Sequence, residues 1–156
     1  MSSRHGCRLL TMRRLRIKSS KTSLLTITRS PLWIKHMVYI LALAEHKFWK
    51  YQNGRSRIIY IGTTKTGAGR PAASAVNKAS QAFRTLHGVK TLEVHIATCR
   101  GRQKSETWRH LEASLLDAFR NRYYQLPKYN KVRPKSKKGL FGYNGLAKLI
   151  DKFDRA

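Results

Sequence analysis

A continuous apolar run, Met37-Val38-Tyr39-Ile40-Leu41-Ala42-Leu43-Ala44, stands in a chain otherwise dense in charge. A run of that length, bounded by polar residues, reads as a buried strand. Residues 57–63, from Arg57 to Thr63, read as a second strand. Asn53-Gly54 lies between the two, and both residues tolerate positive φ, which favours a tight hairpin turn. The connection from Glu45 to Ser56 is long enough for the strands to extend outward as a ribbon, in a register the residues do not fix.

Residues 71–86 carry the clearest helical period. Ala72, Ala75, Val76, Ala79, Ala82, Phe83 and Leu86 follow the three-and-four spacing of an amphipathic helix. Pro71 suits its first turn and Gly88 its C-terminal end. Leu92, Val94 and Ile96 then alternate with Glu93, His95 and Ala97, the pattern of a half-buried strand. Ser105 is placed to cap a second helix reaching about Tyr123, with Glu106 in its favourable first turn. Leu146 to Phe153 has the makings of a short final helix. No internal repeat is evident.

Charge bounds the partners. The chain of 156 residues holds 33 Lys and Arg against 7 Asp and Glu, a formal charge of +26. Such an excess concentrates phosphates around a protein, and binding that releases counterions weakens steeply with salt. Charge alone favours a ribosomal or packaging protein that only coats RNA or DNA. Cys7 and Cys99 have no zinc-like spacing and no CxxC, so they read as free thiols in a reducing compartment, without a structural metal. No apolar run approaches the ~18 residues of a membrane span.

Residues 1–36 hold nine Lys and Arg and no acid. They show no sustained period and read as a disordered basic arm. An Arg-rich, Ser-rich, acid-free N-terminus equally suits a mitochondrial presequence, and Met37 suits a natural start. The division that follows is a basic arm over residues 1–36, a domain over 37–131, and a basic loop with a short helix over 132–156. Within and around that loop, Lys128, Lys131, Arg133, Lys135, Lys137 and Lys138 are candidates for nucleic-acid contacts, with Lys65 after the second strand.

Glu112 is the residue whose placement asks for an explanation. At about 100° per residue, Trp108, Leu115, Leu116 and Phe119 surround the direction in which it points. A carboxylate on an apolar helix face is costly unless paired with a cation or bound to a metal.

Tyr39 in the first strand, Ile59-Tyr60-Ile61-Gly62 in the second, Arg70 ten residues after Tyr60, Glu112 on the later helix and Pro127-Lys128-Tyr129-Asn130 fall in an order that resembles the GIY-YIG nuclease family. The resemblance covers about residues 37–131. It implies an α+β fold, a small three-stranded antiparallel sheet flanked by helices in the order β-β-α-β-α. It implies a metal-dependent endonuclease that hydrolyses DNA phosphodiesters, with DNA as partner and Mg²⁺ or Mn²⁺ as the cofactor, and no small-molecule cofactor. Glu112 would hold the metal. Tyr60 would help deprotonate the attacking water, which calls for a phenol pKa lowered by nearby cations. Arg70 would stabilise the phosphate through its forked donors. Tyr39 would hydrogen-bond at the site and Asn130 would brace it. Lys65 and His87 stand as weaker auxiliary acid or base groups.

The chain departs from the family pattern in three ways. Met37-Val38-Tyr39 lacks the glycine of the first motif, and the interval from Tyr39 to Tyr60 is about twice the usual. Thr63 and Ser74 occupy positions where Lys and His are sometimes found. The expected setting is cytoplasmic, of bacterial or phage origin, or mitochondrial if residues 1–36 are a presequence. The rival reading is a basic nucleic-acid-binding protein without catalysis, such as a ribonucleoprotein component.

Overall fold

The apolar run becomes the middle of a sheet, and that is why it is apolar throughout. The computed structural model describes residues 35–44, 46–67, 69–98, 107–132 and 140–154. The chain divides into compact units at Pro31/Leu32, and every described residue lies in the second, Leu32–Ala156. Expectations for residues 1–34, for the Ser105 cap and Glu106, for Arg133, Lys135, Lys137 and Lys138, and for Cys7 and Cys99 fall outside the described residues. At the end of the expected arm, His36 stacks on the Trp108 ring at 4.2 Å and donates from its backbone N–H to Lys65 O at 3.3 Å, so the domain takes it in. Strand β1 (Met37–Leu43) pairs antiparallel with β4 (Ile58–Thr64) on one side and β5 (Leu92–Thr98) on the other, giving the order β4-β1-β5. Every residue of β1 is buried. Val38, Ile40 and Ala42 enter one cluster with Ile61, Leu115, Leu116 and Phe119; Tyr39, Leu41 and Leu43 enter another with Ile59, Ala82 and Leu86. Each fully buried aliphatic side chain contributes roughly 1.5–3 kcal/mol of transfer free energy. A strand covered on both faces has no position for a polar side chain.

The fold is α+β: this three-stranded antiparallel sheet, three helices, and a small separate ribbon. The long connection between the sheet strands forms that ribbon from β2 (Trp49–Tyr51) and β3 (Gly54–Ser56). Tyr51 pairs with Gly54, so the turn is Gln52-Asn53, and Gly54 adopts φ +97, which an L side chain resists. The ribbon tip is anchored to the end of helix α2 (Thr107–Tyr123). Asn53 donates from its backbone N–H to Tyr123 O at 3.2 Å and from Nδ2 to Arg122 O at 2.7 Å, satisfying carbonyls that a helix end leaves open. Tyr51 lies buried beneath the ribbon and donates to Ile58 O at 2.5 Å.

Two expectations about burial need correction. Helix α1 (Gly69–Thr85) forms where its period predicts, but Ala72 is exposed, and Val76 and Phe83 are 49% and 45% exposed; only the Pro71, Ala82 and Leu86 side of the apolar stripe reaches the sheet. Likewise Val94 and Ile96 of β5 are 44% and 40% exposed. The alternation in β5 is real, but the strand lies at the edge of the sheet and α1 leaves this part of the face open. Its other face is better occupied: Glu93 pairs with Arg57 at 2.6 Å, and His95 meets the Phe153 ring edge-on at 4.9 Å.

The core also continues past residue 131. Helix α3 (Tyr143–Asp151) and the turn after it place Leu146, Ile150 and Phe153 in the same cluster as α2. Arg122 of α2 pairs with Asp151 and with Asp154, the latter at 3.0 Å, and Tyr123 donates to Asp154. The last helix thus belongs to the domain that the sequence ended earlier. Among the described residues no helix is long and apolar enough to cross a membrane.

Candidate active site

Register brings the two tyrosines together. Tyr39 lies opposite Gly62 across the β1–β4 pair, and Leu41 lies opposite Tyr60, so both phenols project on the side that α1 covers. A Cβ at Gly62 would stand 2.7 Å from Cζ and Oη of Tyr39 and 2.9 Å from Cε1 of Tyr60. The glycine therefore makes the space in which the two rings meet, at a centroid separation of 6.0 Å.

Tyr39 is 1% exposed, and its hydroxyl donates to Ser74 Oγ of α1 at 2.8 Å. Its ring lies against that of Tyr60. Tyr39 thus acts through Tyr60 and α1 as a positioning residue. Tyr60 itself is half-buried. Burial, the neighbouring Tyr39 and the charge of Glu112 push its phenol up to about 12, against a smaller opposing pull from Arg70. The lowered phenol pKa required of a general base is therefore not found. At neutral pH Tyr60 is a neutral hydroxyl able to donate a hydrogen bond.

Glu112 reaches the site from the other side of the sheet edge. It is half-buried, and its carboxylate accepts a hydrogen bond from Thr63 Oγ1 at 3.2 Å. Burial raises its pKa above the ordinary carboxylate value, while the Thr63 hydroxyl, Arg70 and Arg109 oppose that rise. Burial wins, so the ionised carboxylate is under-compensated where it stands. A hard oxygen ligand in that condition suits a divalent cation, and Mg²⁺ retains most of its waters, so one protein carboxylate suffices. Among the described residues no group of three or more His, Cys, Asp or Glu is placed to hold a metal.

Arg70 occupies the first turn of α1, exposed, after a bend in which Gly67 takes φ +94. Its charge acts on both Tyr60 and Glu112. Ser74 and Lys78 follow at four-residue steps on the same side of the helix, and Lys78 Nζ lies 5.3 Å from the centre of the Tyr60 ring. Asn130 pairs with the backbone of β4: Ile61 N donates to its Oδ1 at 2.9 Å, and its Nδ2 donates to Ile61 O at 2.8 Å. With Tyr129 N donating to Ile59 O at 3.0 Å, this segment completes the free edge of the sheet directly beside Tyr60. Asn130→Ala leaves both groups of Ile61 without these partners. We expect it to destabilise the fold by about 1–3 kcal/mol, seen as a lower midpoint in thermal unfolding, with the loss reduced in Asn130→Gln if the longer amide still spans the gap.

The structure gathers Tyr39, Tyr60, Arg70 and Glu112, and uses Asn130 to hold the strand that carries Tyr60. Lys65 and Lys131 are exposed, and His87 is exposed beyond the end of α1. Sequence reasoning did not single out Thr63, Ser74 or Lys78 as partners. The first two were visible only as departures from a motif, and Lys78 only as a residue two helical turns beyond Arg70. No family model, curated protein or solved structure matches this chain.

Proposed function

We propose that this protein is a metal-dependent endonuclease of the GIY-YIG type that hydrolyses DNA phosphodiester bonds. One observation carries the reading: Tyr60, Arg70 and the half-buried, under-compensated Glu112 come from β4, α1 and α2 into mutual electrostatic reach, around a glycine whose missing side chain admits the tyrosines. Glu112 would hold the cation, which when bound supplies Lewis-acid stabilisation of the phosphate and leaving oxygen. Arg70, exposed and charged at the mouth of the site, binds the non-bridging phosphate oxygens through two donors and stabilises the charge that grows on them. Tyr60, protonated at neutral pH, donates a hydrogen bond that orients the attacking water or the phosphate. Tyr39 and Ser74 fix where Tyr60 points, and Thr63 fixes the carboxylate.

Nicking of supercoiled plasmid in Mg²⁺, compared with the same reaction in EDTA, tests this reading. Arg70→Lys keeps the charge and loses the planar fork. Its nicking rate should fall by at least ~10²-fold, the scale of losing one oxyanion donor, with DNA affinity little changed. A rate within a few-fold of wild type would make Arg70 an ordinary surface cation. The second reading, a basic nucleic-acid-binding protein without catalysis, draws on the charge of +26 and on the raised phenol of Tyr60. It requires that wild-type protein bind plasmid and leave it uncut.

A further inference from the structure

Beyond the candidate active site, aromatic rings and lysines alternate along one side of the molecule. Lys78 Nζ lies 5.3 Å from the Tyr60 ring centre and 5.9 Å from that of Tyr129. Lys128 Nζ lies 6.0 Å from the Tyr129 ring and 3.6 Å from the Trp49 ring. Tyr60, Tyr129 and Trp49 all pack half-buried against the same cluster, so their rings stand on one rim of the fold. The Tyr129 hydroxyl is held against Thr85 Oγ1 at 2.8 Å. The row ends at Trp49 on the β2–β3 ribbon; Lys50 and Arg55, directly opposite each other across the strands, belong to the ribbon's other face. Like charges in that position repel. Arg55 is itself engaged in the chain, its guanidinium lying 4.6 Å over the Phe48 ring. Of the described acids, Glu93 is engaged by Arg57, and Asp151 and Asp154 by Arg122; Glu112 stands at the Tyr60 end of the row, where the candidate active site begins.

We propose that Tyr60, Lys78, Tyr129, Lys128 and Trp49 form a track for single-stranded DNA that runs from the active site to the ribbon. The chemistry favours an unpaired strand over a duplex. In a duplex the base faces are already stacked, and a protein meets phosphates and groove edges. Half-buried rings interleaved with cations instead match unstacked bases joined by phosphates. A lysine over an aromatic ring is a weaker contact than a base stacked on that ring. An arriving strand can therefore draw each ammonium to a phosphate and take the ring face for a base. The inference deepens the nuclease reading by naming the substrate class, DNA with a single-stranded stretch beside the cut, and rests on that reading only for the cut itself.

Binding in EDTA tests the track without cleavage. Full-length protein is titrated with a fifteen-nucleotide oligo-dT and with a duplex of the same length, followed by tryptophan fluorescence and by anisotropy of a labelled oligonucleotide. We expect oligo-dT to quench Trp49, and Trp49→Phe, which keeps a ring, to retain near-wild-type affinity while losing most of the quench. Trp49→Leu should weaken oligo-dT binding about tenfold and leave duplex binding within about twofold. Lys128→Gln should weaken oligo-dT and flatten its salt dependence. Trp49 touches the core, so if Trp49→Leu does not unfold cooperatively, the quench lost in Trp49→Phe and the Lys128→Gln result decide. Unchanged oligo-dT affinity in Trp49→Leu or Lys128→Gln, a quench that survives in Trp49→Phe, or equal weakening of single strand and duplex overturns the track. Oligo-dT binding through Trp49 in a protein that never nicks plasmid would leave the track standing and remove the nuclease reading.

Discussion

Glu112→Gln is expected to abolish Mg²⁺-dependent nicking, with a fall exceeding the ~10²-fold that loss of a metal ligand's supporting partner brings, while DNA affinity in EDTA stays close to wild type. The amide keeps the shape and an acceptor for Thr63 Oγ1, but loses the charge that a divalent cation requires. The same substitution should raise stability in the absence of metal. Burial lifts the carboxyl pKa in the folded chain above its unfolded value. Between the two values the folded state binds more protons than the unfolded one, so stability falls as pH rises through that window. The penalty grows as pH rises through the folded-state pKa and disappears below the ordinary carboxylate value of 4.5. The thermal midpoint of Glu112→Gln should therefore exceed that of wild type at pH 7, and the two should converge toward pH 4. Added Mg²⁺ should raise the midpoint of wild type by mass action and leave the variant unmoved. Retained nicking in the variant, or equal stabilisation of both proteins by Mg²⁺, would remove Glu112 from the metal site.

Gly62→Ala should be the most damaging small substitution in the sheet. The new Cβ meets the Tyr39 ring and hydroxyl at 2.7 Å and the Tyr60 ring at 2.9 Å, closer than carbon atoms approach without displacement. Tyr39 has no open space to move into, because it is buried and tied to Ser74. The cost expected for such overpacking is about 1–3 kcal/mol, read as a lower midpoint in thermal or urea unfolding. Nicking should fall further than the remaining folded fraction explains, because Tyr60 is displaced from Arg70 and Glu112. Gly145→Ala is the control. Its Cβ would meet nothing within 4 Å, and it lies in α3, where replacing glycine is worth about 0.5–1 kcal/mol of added stability. Equal midpoints for the two variants would show that the Tyr39–Gly62–Tyr60 contact is looser than the geometry states.

Part of this was legible in the residues. An unbroken apolar run such as Met37–Leu43 has no polar face to turn to water, so it had to be covered on both sides. Glu112 could be placed on an apolar side of its helix by angle alone, and its half-burial and raised pKa follow from that placement. A tight turn near Asn53-Gly54 was legible, but its central residues are Gln52 and Asn53, and of the expected pair only Gly54 takes positive φ. Those are local properties: a helix or strand repeats every few residues, and its period is written in consecutive side chains. What the tertiary structure decided was which surfaces meet. Periodicity marked Val76, Phe83, Val94 and Ile96 as apolar, but it could not say that α1 sits so as to leave them exposed. Thr63 and Glu112 are 49 positions apart, and Tyr39 and Ser74 are 35 apart, so neither partnership leaves a trace in any window of sequence. The state of Tyr60 was decided last and least locally. Cations are abundant in the composition, yet the phenol answers to burial, to Tyr39 and to Glu112, because electrostatic influence depends on distance and solvent exclusion in the folded chain and not on the number of charges it carries.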